Sequence, residues 1–120
     1  KKVNDTYGHL TGDTVLKTIT DIISASTRPG DIVCRYGGEE FIVLLPSISK
    51  EAVFEIAEKI RKTVEKTIFK ENNIEFGTTI SIGICEYMSN TKPTKLVDNV
   101  DKALYESKKN GRNRTTFYKV

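Results

Sequence analysis

At 120 residues the chain is long enough to bury one core and too short to divide into two, so residues 1–120 read as a single domain. With 38% hydrophobic and 29% charged residues and no apolar run of spanning length, the composition excludes a disordered chain and a transmembrane one. The net charge of +3 comes from Lys and Arg scattered among Glu and Asp, which argues against DNA or RNA as a partner and makes any anion site a local one.

After a polar, Gly-containing opening, Val15, Leu16, Ile19, Ile22 and Ile23 recur at helical spacing and predict an amphipathic helix that starts at Asp13 or Thr14 and ends near Ser26. Residues 31–36 and 41–45 are β-rich runs separated by Gly37-Gly38-Glu39-Glu40, a hairpin signal, and the second run is apolar throughout, as in a buried strand. Pro46 closes that strand. Ser49 is placed to cap a second helix with an inner face of Val53, Ile56, Ala57, Ile60, Val64 and Ile68. Over residues 74–84 the period becomes two, which predicts one or two strands. A third helix carries Leu96, Val97, Val100, Ala103 and Leu104 inward and stops at Asn110-Gly111, and residues 115–120 can add a last strand. Cys34 and Cys85 sit in apolar stretches without metal or disulfide spacing, so both are expected to be buried free thiols. The order predicts an α+β fold, helices on a mainly antiparallel sheet. One strand upstream of residue 1 would complete a βαββαβ unit, the ferredoxin-like palm.

Two adjacent carboxylates, Glu39 and Glu40, ride on a glycine turn between strands in Arg35-Tyr36-Gly37-Gly38-Glu39-Glu40-Phe41. Paired carboxylates repel unless a cation or solvent separates them, and Gly37 and Gly38 allow main chain to approach a ligand, so the turn suits Mg²⁺ and a phosphate as well as it suits an ordinary charged hairpin tip.

This heptapeptide resembles the signature of the GGDEF family in its GGEEF variant. Lys1 to Asp5 resembles the end of that family's FKxxND block, Gly8-His9 with Gly12-Asp13-Thr14-Val15-Leu16 its GHxxGDxxL, and Thr79-Ile80-Ser81-Ile82-Gly83 its TxSxG. Asp101-Lys102-Ala103-Leu104-Tyr105, with Lys108 and Gly111-Arg112-Asn113, is similar to its DxALYxAKxxGRN end. The resemblance spans the chain and implies a cytoplasmic nucleotidyl-cyclase palm, a diguanylate cyclase that condenses two GTP into cyclic di-GMP and two pyrophosphates with Mg²⁺ or Mn²⁺. It implies Glu39 as metal ligand with Glu40 in support, and Asn4 and Asp13 as the guanine-reading pair. An amide and a carboxylate together satisfy the guanine edge, and Asp13 is equally suited to a helix N-cap. Lys1, Lys108 and Arg112 match contacts to the β- and γ-phosphates; otherwise they are solvated surface cations. His9, the sole histidine, is not assigned as a general base.

Arg28-Pro29-Gly30-Asp31 is an RxxD whose offset resembles that of the family's inhibitory site for cyclic di-GMP dimers, which implies Arg28 on guanine or phosphate, both suited to its planar fork, and Asp31 on guanine; otherwise it is a loop with an incidental Arg and Asp. The family's first metal-ligand Asp lies upstream of its FK, and here the sequence begins at the Lys. The expectation is therefore of a piece cut from a longer protein, nearly inactive alone, whose parent supplies a first strand, an N-terminal sensor or receiver domain and possible membrane anchorage. A symmetric product also implies a homodimer facing across the site. Two further readings remain: a non-catalytic domain that binds cyclic di-GMP and transmits a signal, and a plain ferredoxin-like interaction module.

Overall fold

The computed structural model describes residues 9–36, 39–71 and 73–119. Among them helix α1 spans His9–Ser26, with Val15, Ile19 and Ile23 buried at a spacing that stacks them on one face. The helix already runs at His9, so Asp13 lies inside it and is no N-cap. The polar, Gly-containing start of this segment carries no apolar period that could mark its beginning in the sequence.

Strands β1 (Ile32–Tyr36) and β2 (Glu40–Leu44) form an antiparallel hairpin with Val33 opposite Val43 and Tyr36 opposite Glu40. Val33, Phe41 and Val43 pack against the helical core, whereas Leu44 is exposed, so β2 is a half-buried strand and not the fully buried one its apolar run predicts. Cys34 alternates to the open face and is exposed, and Cys85 is half-buried; neither is the buried thiol expected.

Helix α2 (Lys50–Lys66) begins where Ser49 Oγ accepts a bond from the Ala52 N–H at 3.1 Å, and its inward residues Ala57, Ile60 and Val64 are buried. It ends at Thr67, whose extended backbone turns the chain into a strand. Ile68 therefore leaves the helical face and is 70% exposed, while Phe69 takes the core position. Phe69 opens β3 (Phe69–Glu71), a strand that the sequence hides because Ile68, just before it, continues the apolar spacing of α2. It pairs antiparallel with β4 (Ile74–Phe76), setting the rings of Phe69 and Phe76 in a stack 5.5 Å apart.

Strand β5 (Ile82–Ile84) is joined through helix α3 (Pro93–Lys109) to β6 (Thr115–Phe117), and the two strands pair in parallel, as a helical crossover permits. The helix packs directly on β5 at Gly83, where a side chain would press on backbone: a Cβ there would meet Leu104 N and lie 2.8 Å from Val100 O. Ser107, fully buried on α3, donates from Oγ to Ile82 O at 2.8 Å and lies 2.6 Å from Thr116 Oγ1, tying the helix to both strands. The result is an α+β domain in which α1, α2 and β3 share one core of Val15, Ile19, Ile23, Ile60, Val64 and Phe69, the β1–β2 hairpin packs against it, and α3 lies on the β5–β6 pair. No helix of the described residues is long and apolar enough to cross a membrane.

Candidate active site

The β1–β2 register puts Glu40 on the first pair of the hairpin and Glu39 in the exposed turn just before it. Gly37 and Gly38 lie outside the described residues, as do Lys1 and Asn4. The last turn of α3 approaches this tip: Lys108 Nζ stands 3.8 Å from Glu40 Oε2, each side chain a little under half exposed. A pair this open contributes at most about 1 kcal/mol. Its consequence is geometric, since it joins the signature turn to the last block of the predicted site across a long sequence separation. Lys108 and Lys109 also sit at the carbonyl end of α3, where cations are favoured.

Past that helix the chain makes a left-handed exit. Gly111 has φ 118°, and the Arg112 N–H reaches back to Ser107 O at 2.9 Å, the longer bond of a Schellman motif. Arg112 and Asn113 follow at φ 62° and 47°. Each L residue in that region costs about 1 kcal/mol, so neighbouring groups must hold them. Arg61 of α2 does so: its Nη1 donates to Asn113 Oδ1 at 2.9 Å and to Asn113 O at 3.3 Å. Asn113 Nδ2 in turn donates to Glu65 Oε2 at 2.6 Å.

Arg61 is itself fixed by a two-pronged bond to Glu58, from Nε at 2.7 Å and Nη2 at 2.8 Å, and Glu58 also accepts from Thr115 Oγ1 at 2.8 Å. The Arg61 fork, with help from Thr115, pulls the Glu58 carboxyl down to about 2. The same bond raises the Arg61 guanidinium above its usual value. Sequence reading overlooked Glu58, Arg61, Glu65 and Ser107. The i, i+3 spacing of Glu58 and Arg61 signals a helix-surface pair, but nothing local points to Asn113, whose approach is tertiary.

Asp13 is exposed on α1, and its prospective guanine partner Asn4 falls outside the described residues. For a divalent cation, the oxygen-only donors Glu39 and Glu40 are of the right hardness. Among the described residues, however, no cluster of three or more His, Cys, Asp or Glu forms a metal site, so these two carboxylates fit as part of a ligand set and not the whole of one.

The RxxD forms a type II turn: Pro29 precedes Gly30 at φ 93°, and the Asp31 N–H bonds to Arg28 O at 3.0 Å. The Asp31 side chain is 1% exposed and is used within the turn, accepting from the Arg28 N–H at 2.7 Å, from Arg28 Nη2 at 2.8 Å and from Nε. That bonding holds its carboxyl below the usual carboxylate range. Arg28 Nη2 also reaches Pro46 O at 2.6 Å, pinning the turn to the end of β2. Nη1 has no bond among the described residues, so one edge of the fork remains for a ligand.

The sequence model described as diguanylate cyclase, GGDEF domain, matches residues 1–114. The chain is 48% identical over 120 residues to diguanylate cyclase A of Treponema denticola, covering 99% of this chain and 32% of that protein. It is 45% identical over 125 residues to the probable diguanylate cyclase DgcT of Escherichia coli, covering 100% of the chain and 27% of the relative. It thus spans about a third or less of these relatives' lengths. Among solved structures, the GGDEF domain of DgcB from Caulobacter crescentus in complex with c-di-GMP superposes with TM-score 0.94 at 34% identity, over 98% of this chain and 70% of that one. The active GGEEF domain of a diguanylate cyclase from Vibrio cholerae gives TM-score 0.82 at 30% identity, over 98% and 75%. A match that runs through nearly the whole chain, together with the same backbone, makes this chain a member of the GGDEF diguanylate cyclase family.

Proposed function

We propose that this domain, paired with a second copy, condenses two GTP molecules into cyclic di-GMP with release of two pyrophosphates. The observation that carries the reading is the approach of Lys108 to Glu40, which brings a phosphate-type cation to the carboxylate tip of the hairpin. In each half-reaction the ribose 3′-oxygen of one GTP forms a bond to the α-phosphorus of the other, and the bond to the β-phosphate oxygen breaks. The 3′-proton passes to solvent and pyrophosphate leaves. Two such links in one ring require two sites facing each other. Glu39 and Glu40 would hold Mg²⁺ or Mn²⁺, which when bound polarises the α-phosphate. Lys108 and Arg112, with Lys1, neutralise the leaving pyrophosphate, Gly37 and Gly38 admit its oxygens to main chain, and Asn4 and Asp13 read guanine.

The RxxD turn is read as the product site, cyclic di-GMP meeting Arg28 through the open edge of its fork while Asp31 fixes that fork's orientation. A cytoplasmic setting and a sensor or receiver domain in a longer protein belong to the same proposal. The test is pyrophosphate release from GTP with Mg²⁺, measured on the chain, on a form extended upstream of Lys1, and on Glu39→Gln versions of both. The extended form is expected to turn over and its Glu39→Gln variant to lose turnover. Activity surviving Glu39→Gln removes that residue from the metal role. Calorimetry of cyclic di-GMP with Arg28→Ala completes the test, since unchanged affinity there makes the RxxD an ordinary structural turn.

A further inference from the structure

We infer that Asn113, gripped by Arg61 and Glu65 of α2, is a positioning residue that sets the reach of Arg112 toward a triphosphate. The inference rests on the proposed reading of Arg112 as a phosphate contact and adds residues to it. Two consecutive non-glycine residues in the left-handed region, Arg112 and Asn113, do not stay there unaided. The restraints on them come from α3, from α2 and from the neighbouring Arg114 side chain. The Arg112 N–H is held by Ser107 O at 2.9 Å, and its carbonyl accepts from Arg114 Nε at 3.2 Å. Ser107 is in turn fixed by its buried bonds to β5 and β6.

On the other side, Asn113 uses its carbonyl, its amide oxygen and its amide nitrogen on Arg61 and Glu65. The two arginines have opposite fates. Arg61 is 13% exposed and spends all three guanidinium nitrogens inside the protein, on Glu58 and Asn113. Arg112 is exposed and has no carboxylate partner among the described residues, which leaves its charge for an external anion. A cation helps a polyphosphate only when its fork is aligned, and alignment is what the clamp on the adjacent residue supplies. A side chain that merely closed the domain would have no reason to act on the distal phosphates in particular.

The measurement is calorimetric titration with GTP and with GMP, in excess Mg²⁺, of the wild-type chain, Asn113→Gly, Arg112→Ala and the double variant. Glycine at position 113 admits the left-handed backbone without strain and removes the side-chain amide, leaving of the clamp only the main-chain bond from Arg61. Expected is a loss of about three- to tenfold in GTP affinity for Asn113→Gly, GMP affinity held within about twofold, and no further loss when Asn113→Gly is added to Arg112→Ala. Arg61→Lys, which keeps the charge facing Glu58 but cannot fork, is expected to repeat the pattern and carries the test if Asn113→Gly does not fold. Equal losses for GTP and GMP overturn the inference by making the clamp purely structural, and so does an undiminished loss in the Arg112→Ala background. If Arg112→Ala leaves GTP binding intact, or the wild type binds neither nucleotide, the phosphate reading itself fails and takes the inference with it.

Discussion

Replacing Glu58 by Gln removes the one negative charge to which Arg61 and Thr115 are both bonded, and sets an amide N–H₂ or a neutral oxygen against the guanidinium. A displacement of the Glu58 carboxyl from 4.5 to about 2 corresponds, at 1.36 kcal/mol per unit, to roughly 3 kcal/mol as an upper bound. The side chain is still 21% exposed, and solvent screening reduces that to about 1 to 2 kcal/mol. The sign follows from the direction of the shift. A carboxyl whose folded value is depressed stabilises the fold fully above its unfolded value of 4.5, and that stabilisation is lost as pH falls toward 2. Urea unfolding of wild type and Glu58→Gln at neutral pH should therefore differ by about 1 to 2 kcal/mol, with the gap closing on acidification below 4.5. Subtracting the two proteins removes the acid response of the other carboxylates. A gap that stays constant from pH 7 to pH 2.5 would refute the argument, since the lost contact would then be packing and not charge.

Gly83→Ala should destabilise the domain by about 2 kcal/mol or more, because its new methyl meets helix backbone at Val100 O and Leu104 N, which cannot swing aside; a thermal melt unchanged from wild type would contradict the close packing of α3 on β5. Asp13→Ala should weaken GTP by about ten- to a hundredfold, equivalent to about 1.5 to 3 kcal/mol, and leave ATP much less affected; equal losses for the two nucleotides would dismiss Asp13 as a guanine reader.

The sequence alone carried the helical faces of α1, α2 and α3, because a 3.6-residue apolar period needs no knowledge of what it packs against. It carried the Ser49 cap, the glycine hairpin with Glu39 and Glu40 at its tip, and the family blocks, all local features. What it misassigned were quantities that depend on a neighbour far along the chain. Ile68 continues the α2 period but is expelled when Thr67 extends and Phe69 enters the core. An apolar β2 and the cysteine on β1 read as buried, yet only the face toward the helices is covered. The parallel pairing of β5 with β6 and the fit of Gly83 against α3 exist only after the crossover closes. So does the reach of Arg61 to Asn113, which converts a helix-surface ion pair into a clamp on the loop bearing Arg112. Periodicity and short motifs are written within a few residues; the partner of a partly buried guanidinium is set by where two separate helices come to rest.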